Sequence, residues 1–477
     1  MSTGFLVLRL QTKGANAMIF ENATILTMNA NRQIITDGAV VVIGKEITAV
    51  GKRKEFIDRF PQERRINCNG NVLLPGLIDT HVHLAQAMIR GCADDLSLLD
   101  WLTKRVWVLQ GNYTAADGRA STALCALEMI KSGTTAFIES LLAERYGIDG
   151  VIETIVQSGM RAAIGKIVMD RPSYGKSQDV MYPGMIEDGE QSVQNTLAAF
   201  DRWNGKGDGR IQVWFGARSP GGMTASIYDW ISKLAVERGM GITIHLSEVK
   251  EDIDYAVSQG FRTPTEFAAA HGLLGARTVI AHFVWSDPSD WKMLAETGTH
   301  VSHNPASNSK TATGIAPVYG MLQAGVNVTM GCDGGPSNNT YDMIRDLRMA
   351  SYLACLREKD PTVVPAENIL EMATIRGARA MGLEDQIGSV EVGKRADFIV
   401  IDMDKPHLTP CFDPVSSIVY AAHGSDVDTV VVDGTILMQN RKVQTLDEEA
   451  IVADARQRAM QVMQRAGLVI KPNWPVI

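Results

Sequence analysis

Eight short apolar runs, most of them closing on a polar or charged residue, restrict this 477-residue chain more than any other feature. They read LPGLIDTHVH, TTAFIE, RAAIGKI, IQVWFGARS, GITIHLSE, TVIAHFV, THVSHNP and VNVTMGCD. Between them lie stretches such as ADGRASTALCALEMIKSG and SDWKMLAETG, whose apolar residues recur three and four apart as in a helix. Buried strands alternating with amphipathic helices require a parallel sheet covered by helices, and eight such units predict an α/β fold of the TIM-barrel type, a (β/α)8 barrel. A doubly wound sheet is the alternative, but no GxGxxG follows the first strand. In a barrel the functional end is the one where the strands finish. Those ends carry His81 and His83, Arg218, His245 and Glu248, His282, His303 and Asp333. A polar group at the close of an apolar run is costly unless it is exposed or paired.

The flanks have a different texture. Residues 18–74 alternate apolar and polar positions with Asn and Gly at the breaks, and ADFIVIDMD and VDTVVVDGTILMQNRKV repeat this near the other end. Neither flank is large enough for its own core. The expected organisation is therefore a small β-sandwich built from both termini, residues 18–74 plus 390–477, around a catalytic barrel of residues 75–389. Residues 1–17 are expected to be an N-terminal extension, because the strand pattern begins at Met18. EEAIVADARQRAMQVMQRAG has helical spacing and is expected to close the sandwich segment.

Composition narrows the function by exclusion. With 45% apolar and 21% charged residues the chain has the profile of a soluble globular protein. A net charge of −8 recommends neither nucleic acid nor an anionic membrane as partner. No apolar run approaches the roughly 18 residues of a membrane helix, and Arg9 interrupts the only apolar stretch near the start, which makes a poor secretory signal. The six cysteines form no CxxC pair, so neither a thiolate zinc site nor a disulfide framework is expected, and the location is expected to be cytoplasmic.

His81 and His83 lie two apart in a strand and so point to one side, where both imidazoles can reach one metal. An HxH triplet alone is more often two ordinary loop histidines. His245 and Asp333 supply a third nitrogen and an oxygen at two further strand ends, a set that suits zinc, with iron(II) also compatible. A catalytic metal keeps a position for water and lowers its pKa to near 7. Glu248, three residues beyond His245, is placed to move a proton, and His282 to orient the water and stabilise a developing oxyanion. Trp101 and Trp107 are candidates to stack on a flat ring.

GLIDTHVHL, ITIHLSE, IAHFVW, VSHNPASNSKTATGIAPV and GCDGGPSNNTYDM together resemble the amidohydrolase superfamily. More narrowly, they are similar to its metal-dependent deaminase branch, which contains S-adenosylhomocysteine, methylthioadenosine and guanine deaminases and the s-triazine hydrolases. The resemblance implies one divalent ion, Zn2+ or Fe2+, held by His81, His83, His245 and Asp333. Glu248 is implied as proton shuttle to a ring nitrogen, with His282 and Asp333 activating the water. Arg218 stands where two-metal members carry a modified lysine, so one ion is expected. His303 and Asn308 follow the branch's HNPxSN pattern and, with Gln110, Arg218 and Trp101, are the implied substrate-binding residues.

The implied activity is hydrolytic deamination of an amino-substituted N-heterocycle, of purine, pterin, pyrimidine or s-triazine type, with release of ammonia. Expulsion of chloride or alkylamine, or opening of a cyclic amide on the same site, is the alternative; a noncatalytic scaffold is the reading from another class. Two departures bear on substrate. Gln110 stands where adenosine-type deaminases carry a glutamate, and Arg218 where they carry a histidine, which favours an oxo-substituted ring. The expected partners are this small molecule and further copies of the chain, a dimer or higher.

Overall fold

In a computed structural model of the protein, which describes residues 17–56, 59–60, 63–472 and 474–475, two nine-stranded sheets carry the architecture. The expected extension lies outside the described residues except for Ala17, which opens the first strand and pairs with Ile43. The N-terminal flank supplies β1 (Ala17–Leu26), β2 (Ile34–Ile43), β3 (Glu46–Lys52), β4 (Arg64–Asn67) and β5 (Val72–Pro75). The alternating sequence of β2 is buried over Ala39–Val42 because both faces are covered. Val40 and Val42 join a cluster with Phe20, Phe398 and Val431, while Ala39 and Val41 pack with Ile19 and Phe56.

The barrel follows with β6 (Leu77–His83), β7 (Thr134–Leu142), β8 (Arg161–Val168), β9 (Ile211–Ala217), β10 (Ile242–Leu246), β11 (Thr278–His282), β12 (His300–His303), β13 (Asn327–Met330) and β14 (Asp333–Gly334). All are parallel neighbours in the order β13, β12, β11, β10, β9, β8, β7, β6, β14. The eight apolar runs are these strands, with two refinements. LPGLIDTHVH breaks at Gly76, where a Cβ would lie 2.0 Å from Thr135 Oγ1, so Val72–Pro75 joins the terminal sheet and Leu77–His83 starts the barrel. VNVTMGCD breaks at Gly331, where a Cβ would meet that of His81 at 2.8 Å. The second piece, β14, pairs Asp333 with Val82 and Gly334 with His83, which closes the sheet on itself. A buried hydroxyl cluster lines this seam: Thr80 Oγ1 lies 2.8 Å from Ser302 Oγ and 2.9 Å from the Met330 carbonyl.

The chain then returns to the first sheet as β15 (Phe398–Ile401), β16 (Val427–Val432), β17 (Thr435–Gln439) and β18 (Lys442–Val443). β15 pairs antiparallel with β5, joining the two flanks into one sheet, and Phe20 meets Phe398 edge to face at 4.8 Å. Arg161 locks this sheet to the start of β8, with Nε 3.0 Å from Asp397 and Nη2 2.8 Å from Asp433. A final helix, Glu448–Arg465, is tied by Arg465 and Arg458 to the buried Asp117 of the helix Ala115–Lys131. No helix among the described residues is long and apolar enough to cross a membrane.

Candidate metal centre and pocket

His81 and His83 end β6 on one side, as strand periodicity requires. Nε2 of His81 lies 3.4 Å, and Nε2 of His83 3.1 Å, from the same carboxylate oxygen of Asp333. Nε2 of His245, on β10, lies 3.3 Å from Nε2 of His83. His81, His83 and Asp333 form one group of converging donor atoms and His81, His245 and His282 another, each within 4.8 Å. Burial lowers the His81 pKa to about 3 and pushes His245 well below the usual range. Burial alone would raise Asp333, but its contacts with His81 and His83 and their charge hold it well below the carboxylate range. Ring nitrogens of His81, His83 and His245 crowd together around one carboxylate, and the buried Nε2 of His81 makes no hydrogen bond. That donor set fits a divalent ion shared among them.

Neighbouring side chains fix the orientation of these groups. Ser140 Oγ on β7 sits 2.8 Å from His81 Nδ1 and 2.7 Å from Thr243 Oγ1, so the opposite ring nitrogen faces the cluster. Ser307 donates to the second oxygen of Asp333 at 2.5 Å. Asp333 (φ 66°), His282 (φ 72°), Phe283 (φ 51°) and Ser247 (φ 55°) all adopt left-handed backbone. Four such non-glycine residues at three strand ends are strain concentrated at one place.

Glu248 is buried beside this group, with a carboxylate oxygen 3.8 Å from His282 Nε2, and burial raises its pKa. His282 Nδ1 lies 2.8 Å from Asn308 Oδ1 and 3.2 Å from the Asn304 amide. A proton on Nδ1 donated to Asn308 leaves the Nε2 lone pair turned toward Glu248.

Gln110, Trp101 and Arg218 line the cavity over the donor cluster, together with Trp107, Tyr174 and Met185. A π-helical turn at Leu102–Val106 interrupts the helix that carries the first of these. It advances the register so that Leu102, Trp107 and Gln110 share the cavity side. Arg218 has no ion-pair partner among the described residues; its guanidinium stacks over the rings of Trp107 and Tyr174, 5.6 Å from each centroid. The buried Glu139 accepts instead from the backbone amides of Leu84 (2.6 Å) and Leu141 (2.8 Å). Burial lowers the Arg218 pKa and leaves its Nε without a hydrogen bond.

His303 and Asn308 are buried but do not line the cavity. Asn308 reaches it only through His282, and neither ring nitrogen of His303 has a hydrogen-bond partner. Lys310 ties loops together through Asp94 (2.5 Å) and the Pro336 carbonyl (2.7 Å). Ser140, Ser307, Tyr174 and Asp252 are the neighbours that sequence reasoning missed, since single hydroxyls and a loop tyrosine leave no periodic signal.

Residues 72–437 match the amidohydrolase family. The chain is 37% identical over 450 residues to a 5'-deoxyadenosine deaminase of Methanosarcina acetivorans, covering 94% of this chain and 99% of that one. It is 35% identical to a 5-methylthioadenosine/S-adenosylhomocysteine deaminase of Pelotomaculum thermopropionicum, with 94% and 100% covered. The solved structure of an adenosine deaminase from Xanthomonas campestris with bound zinc superposes with a TM-score of 0.87 at 29% identity, over 94% of this chain and 98% of that one.

Proposed function

The chain belongs to the amidohydrolase family, and from that premise we propose that it is a metal-dependent deaminase of an amino- and oxo-substituted N-heterocycle. In the reaction the exocyclic C–N bond is replaced by C=O, water is consumed and ammonia leaves. His81, His83, His245 and Asp333 hold one divalent ion, zinc in this reading, which supplies Lewis acidity and a water that ionises near neutral pH. Glu248 takes the proton of the attacking water and delivers it to the ring nitrogen beside the reacting carbon. His282, oriented by Asn308, holds the water on the side facing Glu248 and stabilises the oxygen that gains charge.

The observation that carries the substrate reading is the buried, unpaired guanidinium of Arg218 between two aromatic rings, with Gln110 and Trp101 in the same wall. A buried cation without a counter-ion is expensive, and a ring carbonyl or ionised ring oxygen offsets that cost. The relatives are named for adenosine derivatives, which have no oxygen on the base; Arg218 argues for guanine-like, pterin or pyrimidine rings instead. His303 and Asn308 support the site from behind its wall. Residues 75–389 are read as the catalytic barrel and residues 18–74 plus 390–477 as the sandwich. A cytoplasmic homo-oligomer completes the proposal, a location supported by six unpaired cysteines.

A panel of aminated purines, pterins, pyrimidines and triazines, assayed for ammonia with the zinc-loaded protein, tests this. Amino-oxo rings should be the best substrates, and Arg218→Met should reduce kcat/KM on them by roughly tenfold to a hundredfold. Release of chloride or alkylamine without ammonia would replace the deaminase reading with the triazine-type one.

A further inference from the structure

The connection between β8 and the helix Gly189–Trp203 forms part of the cavity wall through Tyr174 and Met185. It is pinned at both ends. Asp170 accepts from the amide and hydroxyl of Thr224, each at 2.8 Å, and Glu187 pairs with the buried Lys166. Between the pins, Lys176, Gln178 and Asp179 are exposed, and Tyr174 turns inward. Its ring meets Trp107 edge-on at 6.3 Å and lies under Arg218, while its hydroxyl is buried without a hydrogen-bond partner.

A second orphan stands on the neighbouring element. Asp252, in the first turn of the helix Lys250–Ser258, is buried, and its Oδ2 accepts from the amides of Glu248 (2.8 Å) and Val249 (3.4 Å). Its Oδ1 is buried and has no partner. The two elements touch, for a Cβ on Gly175 would lie 3.5 Å from the Glu251 carbonyl oxygen. Beyond burial, the charge of Asp252 is the largest influence raising the Tyr174 hydroxyl. An unsatisfied donor and an unsatisfied acceptor on adjoining elements each cost free energy until they meet.

We infer that Tyr174 and Asp252 are positioning residues that couple closure of the 171–186 loop to the placement of Glu248. As the loop settles on a bound ring, the Tyr174 hydroxyl donates to Asp252 Oδ1, and the other oxygen of Asp252 holds the Glu248 backbone. Loop closure and alignment of the proton carrier are then one event. The inference rests on the proposed role of Glu248.

The test uses the zinc-loaded full chain, the variants Tyr174→Phe and Asp252→Asn, and their combination. Two readouts are taken: kcat and KM for ammonia release, and the rate of tryptic cleavage after Lys176 with and without guanine or another amino-oxo ring. Each single variant should lower kcat roughly tenfold with a smaller change in KM. The double variant should lose no more than the weaker single, and ring-induced protection of Lys176 should fall in all three. Losses that multiply in the double variant overturn the inference, as does wild-type kcat and protection in Tyr174→Phe. That variant keeps the ring and decides the question alone if Asp252→Asn does not fold. If rings protect Lys176 but no ammonia appears, the functional reading fails and the coupling is still judged from protection. If no ring protects the wild type, the coupling fails.

Discussion

Two buried polar clusters occupy opposite ends of the barrel strands, and they are built on opposite rules. At the start of β8, Arg161 spends its donors on Asp397 and Asp433, and the Asp433 amide returns a bond to Asp397 at 2.8 Å. At the finishing ends, ring nitrogens of His81, His245 and His303 and Nε of Arg218 are buried without partners, on backbone that includes four strained residues. The first cluster pairs its charges within the chain and leaves only Asp433 Oδ2 without a hydrogen-bond partner; the second leaves several buried ring nitrogens and the Arg218 Nε open. Burial is the same in both, so burial does not separate a structural charge from a functional one. Satisfaction does.

The largest effect should come from breaking the open cluster. His245→Ala or Asp333→Ala should lower turnover by at least about a thousandfold and remove the bound metal, while the metal-free variants melt no earlier than metal-free wild type. Metal analysis and calorimetry on the same samples check this. A large loss of apo-protein stability would place the cluster with its structural counterpart.

Breaking the closed cluster should do the reverse. Arg161→Met strands two buried carboxylates and should cost about 3–5 kcal/mol in urea unfolding. The fraction that remains folded should still bind one metal per chain, measured after gel filtration. A smaller and sharper test lies in Ser140→Ala, which removes the partner of His81 Nδ1 together with its contact to Thr243 Oγ1. Metal affinity by competition with a chelator should weaken about 10–100-fold, and the unfolding midpoint should stay close to wild type.

The same contrast explains what could be read from sequence. Strand periodicity put His81 and His83 on one side, and the polar closures of the apolar runs pointed to His245, Glu248, His282 and Asp333, because a residue that violates an apolar pattern is visible against it. Arg161 opens a strand and looks like any boundary residue, so nothing marked its two partners 236 and 272 residues away. Tyr174 lies in a loop with no period to violate. The π turn at Leu102–Val106 was equally hidden, since adding one residue to a helical turn leaves the apolar spacing nearly unchanged. His303 shows the limit of the rule, because it ends a strand as the others do and yet does not line the cavity.

The two-residue strand Asp333–Gly334 has a consequence for how the protein is made. It lies beside the end of β6, whose Thr80 bonds to Met330, 250 positions further along the chain. A chain growing from the ribosome therefore holds its first two histidines long before the carboxylate that faces them exists. Until then those imidazoles are available to any ion or wrong partner. Joining the last stave to the first is at once the step that finishes the barrel and the step that brings Asp333 to His81 and His83, so capture of an ion at the proposed centre would report that the whole barrel has been synthesised and shut.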